Sequence, residues 1–165
     1  MARVETSKVV GYPWSDLFNL VLDLKSYPQF VPHCRDVRLL SRRSEEQLTV
    51  IISRMTVGFA AIEVGYANRT TADITRRQIR VEALDGPLRF LHALWSFEPR
   101  DQDRTLLRFS VEYEFSNPLL AAIASSAFAA MFGDIVDAFE QRAVYLFADK
   151  RSTRAAPITA QSSSV

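Results

Sequence analysis

Hydrophobic and polar positions alternate along most of this chain, then switch past Asn117 to spacings of three and four. A period of two marks strands with one buried face, and the longer spacing marks a helix with an apolar stripe. Residues 3–10 alternate and predict a first strand. Tyr12-Pro13-Trp14-Ser15-Asp16 then opens a helix whose stripe is Leu17, Phe18, Leu20, Val21 and Leu24. The segment SYPQFVPHC carries two prolines and holds Tyr27, Phe30 and Val31 in a compact turn or second short helix.

From Cys34 the pattern is strand after strand. Residues 37–40 come first, followed by a turn at Ser44-Glu45-Glu46-Gln47 and a strand over 48–57 that breaks at Gly58. Strands over 60–70, 74–84, 88–98 and 105–115 follow, with turn chemistry at Asp85-Gly86-Pro87 and Arg100-Asp101-Gln102-Asp103. In the last strand Thr105, Leu107, Phe109, Val111, Tyr113 and Phe115 form one apolar face. In the strand over 88–98, Phe90, His92 and Leu94 share the phase of Leu88, while Leu91, Trp95 and Phe97 hold the other. Regular short strands joined by tight turns imply an antiparallel meander.

The stretch NPLLAAIASSAFAAMFGDIVDAFEQRAVYLF predicts a single helix from Pro118 to Phe147. Asn117 can cap its free N–H groups, and Pro118 suits the first helical position. Leu120, Ile123, Phe128, Met131, Phe132, Ile135, Phe139 and Leu146 make up its stripe. A long terminal helix after so many strands must bury that stripe against the sheet. The space between them is then filled by side chains or by a ligand. Beyond Phe147 the periodicity is lost, so residues 1–149 read as one domain and 150–165 as a disordered tail.

Composition narrows the function. The 165 residues are 48% hydrophobic, enough for one core. Lys plus Arg is 20 against 19 Asp plus Glu, so uniform attraction to nucleic acid is not indicated. Five glycines, with no GxGxxG or GxxxxGK[ST] spacing, argue against a phosphate-cradling loop. Cys34 is the one cysteine and cannot form an internal disulfide. The opening MARVETSKVV lacks the apolar core of a signal peptide. Gly133, Asp134 and Asp137 interrupt the longest apolar run, which reads as a soluble or peripheral protein.

Catalytic chemistry is thin. The histidines are His33, beside Cys34 but short of a metal-ligand set, and His92, in an apolar strand phase. Glu63 could face inward near Arg69 or His92 as an acid–base pair, or form a surface salt bridge. Arg76, Arg77 and Arg80 could meet phosphates, or simply decorate an outer sheet face. The excess of long apolar side chains on a thin sheet-plus-helix frame points instead to an internal pocket. Its candidate lining is Tyr27, Phe30, Val31, Phe90, His92, Leu94, Trp95, Phe109, Val111, Tyr113, Leu120, Ile123, Phe128, Met131 and Ile135.

The element order, with SYPQFVPHC, GPLRFLHALWSF, YEFSNPLL and AFEQRA in sequence, resembles the coenzyme Q-binding branch of the polyketide cyclase/lipid-transport superfamily. The resemblance covers nearly everything from Val4 to Phe147. It implies an α+β helix-grip (START-like) fold: two short helices after the first strand, and a curved antiparallel sheet of about six to seven strands wrapped around the long terminal helix. It also implies a non-enzymatic protein that binds ubiquinone or a similar polyprenyl lipid, needs no other cofactor, and supports respiratory electron transport as a quinone carrier. Residues that match the branch's motifs are Tyr27, Pro28 and Pro32, Trp95, and Asn117 to Leu120. His92, Tyr113 and Arg69 are the expected head-group donors. The expected location is the cytoplasm, peripheral to the inner membrane. The same branch includes bacterial ribosome-association toxins, so a ribosome-binding role is the alternative, and a cyclase-type enzyme ranks third.

Overall fold

In the computed structural model the backbone of residues 1–163 and the side chains of residues 1–148 are described. Seven strands form one antiparallel sheet: β1 (Ala2–Val10), β2 (Cys34–Glu45), β3 (Leu48–Phe59), β4 (Ile62–Asp73), β5 (Gln78–Ala83), β6 (Leu88–Pro99) and β7 (Thr105–Phe115). Their order is β1-β7-β6-β5-β4-β3-β2, a meander in which the first strand returns to pair with the last. Helix α1 (Trp14–Leu22) and a 3₁₀ segment (Leu24–Gln29) follow β1, and α2 (Pro118–Ser163) lies across the inner face of the sheet. This is the helix-grip arrangement.

The sheet cannot bury its inner face alone, so α2 covers it. Phe128, Met131, Phe132, Ile135, Val136 and Phe139 are buried there. Phe128 lies between Phe59 of β3 and Phe115 of β7, with ring centroids 5.3 and 5.1 Å away. Trp95 of β6 meets Phe139 edge-on at 5.0 Å. The Leu119 N–H donates to Asn117 Oδ1 at 2.8 Å, the expected cap. Lys8 ties β1 to α2 through Glu140 at 2.6 Å.

Several expectations are corrected. Gly58 does not break β3: it is buried within the strand, and the turn falls at Ala60-Ala61, where Ala60 has φ +53°. The Arg35 side chain crosses Gly58, so an added Cβ, 1.9 Å from Arg35 Nε, would displace that flexible arginine rather than the backbone. Ile123 is 49% exposed, because it falls about 140° around the helix from Phe128, and Ala124 takes the inward position. The α2 backbone continues past Phe147, and by length and composition the stretch Pro118–Ala148 would suit a membrane crossing despite its interruptions. Leu146, placed on the stripe, is exposed. The expectation of a tail over 150–165 falls on residues whose side chains lie outside the described set.

Candidate functional site: a cavity under the helix

The inner faces of β3 to β7, the α2 stripe and the 3₁₀ segment line a cavity of about 70 Å³. The sheet supplies Ser53, Met55, Tyr66, Asn68, Thr70, Val81, Leu91, Ala93, Trp95 and Phe109. Helix α2 supplies Met131, Phe132 and Ile135, and the roof is Leu24, Tyr27 and Val31. Trp95 and Phe109, 4.6 Å apart, form its aromatic floor. The walls are apolar except on one side.

That side is set by strand register. Ser53 of β3 stands directly opposite Asn68 of β4, and Met55 opposite Tyr66. Thr70 follows Asn68 in the same inward phase, and Ser53, Asn68 and Thr70 are all buried. Asn68 is 3% exposed, and its Oδ1 has no hydrogen-bond partner. The Tyr66 hydroxyl donates to Met55 Sδ at 3.7 Å. Burial raises the Tyr66 phenol pKa well above the ordinary value, and the neighbouring Asn68 amide draws it partly back. Tyr27 is likewise raised by burial, and its hydroxyl donates to the Val21 carbonyl. Burial pushes the Cys34 thiol up to about 11.

Of the sequence-predicted lining, the structure brings Tyr27, Val31, Trp95, Phe109, Met131 and Ile135 to the cavity. Phe128, Tyr113 and Val111 are buried in the adjoining core, and Phe30 and Leu120 pack partly buried against it. Ile123 faces away. Phe90, His92 and Leu94 lie on the opposite, outer face of the sheet. A β-bulge between Leu88 and Phe90 inserts one residue, so strict alternation counted from Leu88 assigns every later side chain to the wrong face. Leu91, Ala93, Trp95 and Phe97 are therefore the inward set.

The outer face has a larger groove of about 360 Å³. There Arg3, Glu112, His92, Glu82 and Arg69 fall in one row across five strands. Arg3 pairs with Glu112 at 2.7 Å and Arg69 with Glu82 at 2.5 Å. His92 and Arg69 therefore cannot serve as head-group donors in the cavity. Glu63 pairs with Arg35 at 2.9 Å at the β3–β4 turn, remote from His92 in the sheet register. Arg76 caps its own turn with Asp73, and Arg77 stacks over Trp14 at 4.8 Å, so with Arg80 they form no continuous basic strip.

Sequence reading missed Leu24, Ser53, Met55, Tyr66, Asn68, Thr70, Val81, Leu91, Ala93 and Phe132 as cavity residues. Ser53, Asn68 and Thr70 did carry a signal, since polar residues in the inward phase of a strand ask for a partner.

Residues 10–140 match the family described as polyketide cyclase / dehydrase and lipid transport. A Rickettsia prowazekii protein named ribosome association toxin RatA is 30% identical over 87% of this chain and 97% of its own length. The Xenopus laevis coenzyme Q-binding protein COQ10 homolog B is also 30% identical, over 83% of this chain and 56% of its own length. Among solved structures, the 18 kDa protein CC1736 of Caulobacter crescentus superposes with a TM-score of 0.72 at 32% identity, covering 90% of this chain and 99% of its own. The Zhui aromatase/cyclase of Streptomyces shares the fold, with a TM-score of 0.66 at 18% identity over 87% and 95% of the two chains.

Proposed function

The chain belongs to the polyketide cyclase / dehydrase and lipid transport family, and from that premise we propose that it binds ubiquinone or a similar polyprenyl lipid under α2, as a non-enzymatic carrier. The observation that carries this reading is the apolar cavity beneath α2 with a single polar wall. A quinone needs an apolar slot for its ring and chain and one or two hydrogen-bonding groups for its oxygens. The 30% identity to a protein named for coenzyme Q binding supports the same ligand. Respiratory electron transport is the process such a carrier would serve.

At about 70 Å³ the cavity has room for about two waters, so a quinone enters only when the walls give way. The walls suit that movement. Met55 and Met131 are unbranched and repack readily, and the roof sits on a six-residue 3₁₀ segment rather than a full helix. Residues 117–133 carry no charge, and Leu119 and Ile123 are exposed, which fits a working place at a membrane surface. Glu63 and His92, the acid–base pair that a cyclase reading would use, both lie outside the cavity.

The test is native mass spectrometry of the purified full chain, with organic extraction of any bound lipid. A co-purifying quinone supports the reading, and a chain that stays empty after incubation with quinone-loaded vesicles opposes it. Ribosome association is the second reading, favoured by the identity to RatA. Against it, Arg3, Arg69, Arg89 and Arg108 on the outer face already pair with glutamates, so phosphate would have to displace ion pairs. Salt-sensitive co-sedimentation with ribosomes would support that reading.

A further inference from the structure

A buried polar atom without a partner is costly in a folded protein and is retained where something else satisfies it. Asn68 Oδ1 is such an atom, and Asn68 is one of the residues that line the cavity. Its surroundings fix which partner it needs. The Tyr66 hydroxyl donates to Met55 Sδ at 3.7 Å, so it does not supply the proton that Oδ1 lacks. An amide oxygen can only accept. Ser53, directly across β3, and Thr70, one inward position along β4, flank it with hydroxyls that can donate or accept.

We propose that Asn68 is the head-group anchor of the cavity and that it selects an apolar ligand presenting a hydroxyl, so that the reduced hydroquinone binds more tightly than the oxidised quinone. This rests on the lipid-binding reading above. A quinone offers only carbonyl acceptors, and against Oδ1 two acceptors meet with no proton between them. A hydroquinone supplies that proton, and Ser53 or Thr70 can adjust to either form. The quinone form would then leave the cavity more readily than the hydroquinone.

The same logic predicts an inverse effect on stability. Replacing Asn68 by leucine removes an unsatisfied polar atom and fills similar space with apolar surface, which is neutral or stabilising for the empty protein. A residue retained only for structure would do the opposite. The experiment titrates decylubiquinone and decylubiquinol, under anaerobic conditions, into the full wild-type chain, Asn68→Leu and Asn68→Ser, and records the melting temperature of each empty protein. The proposal predicts decylubiquinol binding tighter than decylubiquinone by about tenfold in the wild type, the effect of one hydrogen bond. It predicts loss of that preference in Asn68→Leu with an unchanged or raised melting temperature, and partial retention in Asn68→Ser. Equal affinity for both forms in the wild type overturns it, as does a preference that survives in Asn68→Leu, while leaving the cavity reading intact. Failure of the wild type to bind either form overturns the cavity reading and this inference together.

Discussion

The Arg142 guanidinium lies 5.2 Å over the ring of Phe30, while its Nη2 donates to Gln29 Oε1 at 2.7 Å. Through this pair α2 holds the end of the 3₁₀ segment whose Tyr27 roofs the cavity. Phe30 in turn meets Phe139 edge-on at 4.9 Å, so the latch rests on the buried aromatic cluster. Opening the roof must break it. A cation–π contact at a partly exposed site contributes about 0.5–1 kcal/mol. Arg142→Ala should therefore speed ligand release roughly two- to fivefold with little change in melting temperature. Stopped-flow displacement would show it, and an unchanged release rate would mean that the ligand leaves by another route.

Met131 lines the cavity, and Ser126 is exposed on the same helix. A carboxylate at Met131 would be buried without a partner, and water or a proton would have to enter with it. Met131→Glu should abolish quinone binding, whereas Ser126→Glu, with the same added charge, should leave it intact. Equal losses in two folded variants would exclude α2 as the cavity wall.

Trp95 is both floor and core: it is buried, and it touches Phe109 and Phe139. Trp95→Ala should cost about 3–5 kcal/mol of stability, as expected for a lost core aromatic. The milder Trp95→Phe should keep the fold yet enlarge the cavity and weaken quinone binding. Unaltered affinity in Trp95→Phe would leave Trp95 a packing residue alone.

The folded protein holds the Cys34 proton more tightly than the unfolded chain, since its pKa is raised to about 11. Between the ordinary thiol value of about 8.5 and 11 the unfolded state has lost that proton and the native state has kept it. The contribution is therefore full at neutral pH and declines as pH rises through this window. Melting temperature should fall more steeply over that range in the wild type than in Cys34→Ala. Parallel curves would mean that the thiol is not buried.

Much of this fold can be read from periodicity. The capped start of α2, the meander and the α1 stripe Leu17, Phe18, Leu20 and Val21 all follow from spacing and turn residues. The candidate site was less legible, because which face a strand residue occupies depends on an uninterrupted count. One bulge after Leu88 moved Phe90, His92 and Leu94 to the outside, and a helical spacing that included Ile123 in the stripe ignored its angle. Gly58 resembled a breaker because nothing local shows that Arg35, on a neighbouring strand, lies across it. Ser53, Asn68 and Thr70 come together only through the β3–β4 register, which a sequence does not display.

The most direct measurement uses the chain's own tryptophans. There are two, and Trp14 lies on α1 under Arg77, outside the cavity lining. Trp14→Phe leaves Trp95 on the cavity floor as the sole indole emitter. Titrating decylubiquinone into this variant should quench its emission saturably at one ligand per chain, and Met131→Glu in the same background should abolish the quenching. Linear, unsaturable quenching that is identical in both proteins would contradict quinone binding beneath α2.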